Sequence, residues 1–240
     1  MTKNRKLFED VDERSDSTQA SSIETSSVEQ SSLLKIWLWT LLISLISLIL
    51  VGGWTRLTDS GLSIVEWKPL TGMIPPFSSE GWIVEFEKYK SIPEFKLVNF
   101  AITMDEFKFI YWWEWGHRQL ARFIGLVWFL GFLILWITKQ IPKRWTFYFF
   151  GIGLLGALQA FLGWWMVSSG LDGQVVDVFS YRLAIHLTMA FIILALIFWA
   201  ILFHSEDSAK IFESRRYRNK FSVNILAGLG ILCYVQLALG

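Results

Sequence analysis

The sequence is short of the residues that disulfide-bonded and ordinary soluble proteins depend on. It has one cysteine, Cys233, inside an apolar run. A single cysteine excludes an intrachain disulfide and a thiolate metal cluster. No zinc signature, phosphate-cradling glycine loop or Ser-His-Asp arrangement occurs. Charged residues make up only 18% of the 240, against a usual quarter. The net charge of +1 removes any case for a polyanionic partner, so no nucleic acid is expected. What is abundant is apolar surface: 53% hydrophobic residues, with 14 tryptophans and 20 phenylalanines. Aromatic rings of this kind concentrate at membrane interfaces. The composition is that of a membrane protein.

A bilayer core needs about 20 apolar helical residues, because lipid satisfies no backbone polar group. Five runs meet or approach this: 36–55, 123–138 (long enough if its helix starts near His117), 145–171, 183–203 and 221–240. The expected fold class is therefore all-α, a polytopic transmembrane helix bundle with four complete spans and a fifth that stops at Gly240. Basic residues in short loops set the orientation. Lys139, Lys143 and Arg144 join spans two and three, and Lys210, Arg215, Arg216, Arg218 and Lys220 lie between spans four and five. Asp172 and Asp177 lie between spans three and four. The basic loops are then cytoplasmic, as is the N-terminus, and the long 56–113 segment is extracytoplasmic.

The division expected from this is a disordered cytoplasmic tail over 1–33, a four-helix half over 34–205, a basic cytoplasmic loop over 206–220, and a further span over 221–240. The tail is Ser-rich and carries Glu9, Asp10, Asp12, Glu13, Asp16, Glu24 and Glu29. Such an acidic segment does not read as a mitochondrial transit peptide, so a bacterial inner membrane is the expectation. An internal echo aligns Gly151-Ile-Gly-Leu-Leu-Gly-Ala-Leu-Gln-Ala-Phe-Leu-Gly163 on 228–240 without gaps, matching six of thirteen positions, Gln159 with Gln236 among them. It suggests a second helical half beginning near Phe221, although small and aliphatic residues also match readily in unrelated spans.

Ionisable groups in or at the edge of a span are costly and mark functional candidates. The densest cluster is Tyr111-Trp-Trp-Glu-Trp-Gly-His-Arg-Gln-Leu-Ala-Arg122. On a helix, Glu114 and His117 share a face, as do Arg118 and Arg122. The bland alternative is an interfacial helix start, with Glu114 complementing the dipole and the arginines snorkelling. The second cluster is Tyr181-Arg-Leu-Ala-Ile-His186, with His186 one turn inside span four. A packed core histidine would look the same, but spans two and four run in the same direction and place His117 and His186 at similar depth. That is the arrangement a bis-histidine heme needs. His204 lies at the wrong depth. Gly151, Gly153, Gly156, Ala157, Ala160 and Gly163 leave room either for close helix packing or for a flat macrocycle. Arg56, Arg118, Arg122 and Arg182 lie near the outer boundary, where propionates would need cations.

Four ordered motifs resemble one family. Gly52-Gly-Trp-Thr-Arg-Leu-Thr-Asp-Ser-Gly-Leu-Ser-Ile-Val-Glu-Trp-Lys-Pro69 with Gly72-Met-Ile-Pro-Pro76 is similar to the first loop of heme A synthases. So are the segment from Glu106 to Arg118, Leu162-Gly-Trp-Trp-Met-Val-Ser-Ser-Gly-Leu171, and Tyr181-Arg-Leu-Ala-Ile-His186. The cysteine-free loop resembles the proteobacterial and mitochondrial branch. The resemblance implies an eight-span membrane enzyme that oxidises a methyl group of heme O to the formyl group of heme A, for cytochrome oxidase, through successive hydroxylations with oxygen from water. It makes Glu114 the catalytic carboxylate and His117 and His186 the axial pair, with heme b in a second half whose histidines this sequence lacks. The absence of that pair suggests a fragment. Heme O and the bilayer are the implied partners; a heme farnesyltransferase, oxidase assembly factors and a second copy of the chain are candidates. Two other readings remain open: a cytochrome b-like electron carrier using the same histidines, and, less favoured, a small-solute transporter.

Overall fold

A computed structural model describes residues 31–69, 71–171, 175–205 and 220–239. The expectations for the N-terminal tail, for Asp172 and for the basic residues of 206–219 lie outside these. Seven α-helices are present among the described residues, with no strand: α1 (Ser32–Leu57), α2 (Ser79–Lys90), α3 (Pro93–Leu97), α4 (Met104–Ile137), α5 (Lys143–Leu171), α6 (Ser180–Ser205) and α7 (Lys220–Leu239). α1, α4, α5 and α6 are each long and apolar enough to cross a bilayer. Their outward faces display Ile36, Leu50, Phe123, Phe147 and Trp199, all more than two-fifths exposed. Apolar surface on that scale is a lipid-facing surface. The chain is a multi-pass membrane protein.

The helix ends follow from local chemistry. α1 and α4 both close with a residue in the left-handed region, Asp59 (φ 48°) and Lys139 (φ 57°). In each case that residue and the next donate back onto the helix. Ser60 N–H bonds Thr55 O at 2.9 Å and Asp59 N–H bonds Arg56 O at 3.3 Å; Gln140 N–H bonds Leu135 O at 2.9 Å and Lys139 N–H bonds Trp136 O at 3.1 Å. These paired bonds cap the last carbonyls of a helix that would otherwise face lipid unsatisfied. α4 begins with a complete capping box between Thr103 and Glu106. That start lies thirteen residues before His117, where the sequence suggested the helix would begin. With 34 residues, α4 is about 51 Å long, so its first turns rise out of the span and serve as the post of an outer cap.

Neighbouring helices form a ring, α1 against α4, α4 against α5, α5 against α6, and α6 back against α1, with α7 beside α6. α4 and α6 therefore face each other across the diagonal. Close approach depends on glycine notches filled by large rings. Trp37 of α1 fills the notch at Gly131 of α4, and Trp128 of α4 fills that at Gly153 of α5. Both indole N–H groups bond carbonyls of the helix they enter, Val127 O at 3.0 Å and Phe149 O at 3.3 Å. Gly153 thus serves packing, whereas a Cβ at Gly151 or Gly156 would meet nothing within 4 Å.

Two separate apolar cores result. One fills the bundle half remote from the long loop, around Leu38, Leu41, Phe149, Ile197 and Ala200. The other builds the cap over the loop end, where Leu62, Phe86, Tyr89, Ile92, Phe107 and Tyr111 pack together. Leu62 also closes onto Gly170, where an added Cβ would stand 2.6 Å from its Cδ1. Between the two cores lies a layer containing Gly52, His117, Gln159, Gly163 and His186.

Candidate functional site

Both histidines sit in the same kind of cradle. His117 of α4 lies against Gly52 of α1, and His186 of α6 lies against Gly163 of α5. A Cβ built on either glycine would come within 2.9 Å of the imidazole Cε1. Each glycine is therefore a seat that no larger residue leaves open. Both Nδ1 atoms are buried and have no hydrogen-bond partner among the described residues. The two rings are within electrostatic range of one another.

An orphaned imidazole nitrogen inside a membrane bundle is expensive unless something binds it. Two such nitrogens on diagonal helices can take an iron from opposite sides. Among the described residues no group of three or more His, Cys, Asp and Glu could hold a bare metal ion. Two imidazoles supply at most two ligands, so any further ones would come from the bound group itself.

One difference separates the two cradles. Gln159, one turn before Gly163, donates from Nε2 to the main-chain oxygen of His186 at 3.0 Å and lies 3.4 Å from the ring Nε2. Its Oε1 is buried without a partner among the described residues. The position one turn before Gly52 holds Leu48, an apolar residue packed on the bundle core. The sequence drew attention to Gln159 only as part of the echo. The stronger signal was an amide in the middle of an uncharged span.

Glu114 is ten residues inside α4, so it does not complement a helix start. It is 3% exposed and meets four donors. Oε2 accepts from Ser63 Oγ and Ile64 N–H, both at 2.7 Å. Oε1 accepts from Arg118 Nε at 3.1 Å and Nη2 at 2.5 Å. Every bond points toward an acceptor, which is the donor set of a carboxylate. Ser63 and the Ile64 amide belong to the loop after α1, so this cluster ties the loop to α4. Ser63 lies within the first motif, where the sequence alone gives it no role; its 1% exposure is what marks it.

The four arginines are not equivalent. Arg118 is folded inward, donating also to Ile64 O at 3.0 Å and Glu66 O at 3.4 Å. Arg122 bonds Pro69 O at 2.9 Å and Lys68 O at 3.0 Å, while its buried Nη1 has no partner among the described residues. Both line an outward-opening cavity of about 340 Å³ that Glu66, Lys68, Glu85 and Tyr111 share. Glu66 is held down at about 2 by Lys68 and Lys88, so that cavity carries both signs. Arg56 pairs with Asp177 at 2.8 Å. Arg182 donates to Trp165 O at 2.6 Å and stacks 4.5 Å from the Trp165 ring centre. His204 is elsewhere, bonded to Ala200 O at 2.8 Å and packed on Trp145.

Comparison with known proteins decides the family. Residues 35–240 match the COX15-CtaA family, described as cytochrome oxidase assembly protein. The chain belongs to this family. Among its relatives, the Heme A synthase of Dinoroseobacter shibae is 46% identical over the whole of this chain and 64% of its own length. The Heme A synthase of Cereibacter sphaeroides is 43% identical over 99% of this chain and 61% of its own length. That of Paracoccus denitrificans is 48% identical over 86% of this chain and 54% of its own length. The chain thus spans about three-fifths of the first two relatives. No solved structure gives a significant match.

Proposed function

We propose that this chain carries the substrate-handling bundle of a heme A synthase in a bacterial inner membrane, with heme O held between His117 and His186. The observation that carries the reading is the pair of buried Nδ1 atoms without partners, each ring seated on a glycine of the adjacent helix. Orphaned imidazole and a seat that a Cβ would fill are what an iron porphyrin requires of its pocket. The relatives' name implies formation of heme A; the motif resemblance implies that this proceeds by oxidation of a methyl group of heme O to the formyl group, through successive hydroxylations with oxygen from water.

The residues of the chain have separable tasks in this reading. His117 and His186 hold the iron from α4 and α6. Glu114 supplies fixed negative charge beside His117, three residues away on the same helix. With four donors on it, Glu114 is already oriented and needs no reorganisation to stabilise developing positive charge. Service as a base requires one donor to let go, and Ser63 is the one free to rotate. Arg122, with one unpartnered nitrogen, is the outer arginine best placed to take a propionate; Arg56, Arg118 and Arg182 are already committed to protein oxygens and act by position and charge.

The orientation proposed from the basic loops puts the cap and Glu114 on the extracytoplasmic side, with the N-terminus cytoplasmic. The echo of 151–163 in 228–240 supports a second half of the same design, in which heme b would sit. A farnesyltransferase that makes heme O, and oxidase assembly factors, are the partners this role calls for.

The test is extraction and chromatography of the heme bound by the full chain in cells that make heme O. Heme O or its oxidised derivatives are expected. Heme B alone would replace the synthase with a cytochrome b-like carrier. In the same assay Glu114→Gln should change heme content less than about twofold while heme A falls by about 100-fold, the scale of losing an electrostatic stabiliser. Normal heme A from that variant would remove Glu114 from the chemistry.

A further inference from the structure

The two histidine cradles share a plan, since each is a glycine-bearing helix running toward the cap followed by a histidine-bearing helix running back. They differ in one polar side chain. Gln159 reaches His186 at two points, its main-chain oxygen at 3.0 Å and its ring Nε2 at 3.4 Å, whereas the equivalent Leu48 offers His117 nothing polar. The donation to the main-chain oxygen holds the turn of α6 that carries His186 against α5, and so fixes where the imidazole stands. A buried amide in an apolar span also does not wander, because every alternative position costs it a hydrogen bond.

A heme that is substrate must be bound, altered and released, so its site needs one ligand that stays and one that can leave. We propose that Gln159 is a positioning residue that makes His186 the permanent ligand, leaving His117 as the exchangeable one. This rests on the reading of the site as a heme site and assigns the two imidazoles unequal roles within it. The Oε1 of Gln159 is buried without a partner among the described residues.

The experiment uses the full chain in detergent, loaded with ferric heme b as probe. Two quantities are read: the rate at which heme passes to excess apomyoglobin, and the low-spin ferric electron paramagnetic resonance spectrum. Gln159→Met keeps an unbranched side chain of similar length without the amide. Gln159→Asn keeps an amide but withdraws it by one methylene. Both should release heme about 10-fold faster or more, the usual range for losing a group that orients a metal-bound histidine. Both should also shift the g values, because the His186 ring turns. In a His186→Ala background Gln159→Met should add nothing further, whereas in His117→Ala it should keep its full effect.

Wild-type release and an unchanged spectrum in both Gln159 variants would overturn the proposal, as would an undiminished effect of Gln159→Met in His186→Ala. If His117→Ala and His186→Ala each kept the wild-type spectrum, the heme-site reading itself would fall and this proposal with it. Loss of heme in His186→Ala beside inert Gln159 variants would leave that reading standing and remove only the role of Gln159.

Discussion

The cradle between α1 and α4 and the cradle between α5 and α6 are built alike and furnished differently. Each brings an imidazole against a glycine of the preceding long helix, and each leaves Nδ1 buried without a partner among the described residues. Around His186 the polar support comes from Gln159 on the neighbouring helix. His117 has no such neighbour among the described residues; Glu114, three residues before it on α4, is turned to the loop through Ser63, Ile64 and Arg118. The same packing solution thus serves two ends. One cradle grips its ring, and the other couples its helix to the cap.

The most direct way to break this comparison is to remove each ring. His186→Ala should leave less than about a tenth of the wild-type heme, while His117→Ala keeps about half, an asymmetry of about fivefold or more that an orienting group is large enough to produce. Pyridine hemochrome content of the purified full chain measures it. Equal losses in the two variants would make the cradles equivalent, whatever their surroundings.

The glycines give a subtler contrast. An alanine at either seat puts a methyl group 2.9 Å from an imidazole carbon, so the ring or the helix must move. His117 has no bond across its cradle among the described residues and can swing. His186 is tethered through Gln159 and cannot do so without losing a hydrogen bond. Gly163→Ala should therefore cost about 2–3 kcal/mol of stability and Gly52→Ala about 1 kcal/mol, within the range for overpacked sites. Thermal unfolding in detergent reads the difference, and a reversed order would place the tether on the other ring.

Much of this was legible in the sequence, for physical reasons that can be traced to particular residues. The spans stand out because lipid tolerates so few charges, and Glu114, His117 and His186 stand out for the same reason. The start of α4 was misjudged because Glu114, His117, Arg118 and Arg122 break the apolar run that leads back to it. The Thr103–Glu106 capping box was present in the sequence, followed by the largely apolar Phe107–Trp113, but that stretch lies on the far side of those charges. Gln159 and Ser63 were passed over because an uncharged polar residue raises no alarm until its neighbours are known. The arginines were grouped by depth alone; only the fold shows that Arg118 belongs to Glu114 and Arg56 to Asp177.

The two buried carboxyls carry the contrast to the cap. Glu114 has four donors, whereas Glu94, 6% exposed on α3, accepts from Asn99 Nδ2 at 3.2 Å, interacts with the Tyr89 side chain, and has a buried Oε2 with no partner among the described residues. Burial, then the neighbouring charges of Glu114 and Asp59, push Glu94 up to about 8 from an ordinary value of 4.5. A carboxyl raised in the folded state binds its proton more tightly there than in the unfolded chain. Its contribution is complete below about pH 4.5 and is lost as pH climbs toward 8. Glu94→Gln imitates the neutral acid at every pH. It should leave the unfolding midpoint at pH 3.5 nearly unchanged and raise it by about 3 °C or more at pH 8.5. An equal shift at both pH values would show that the side chain stabilises the cap through its shape, not through its charge.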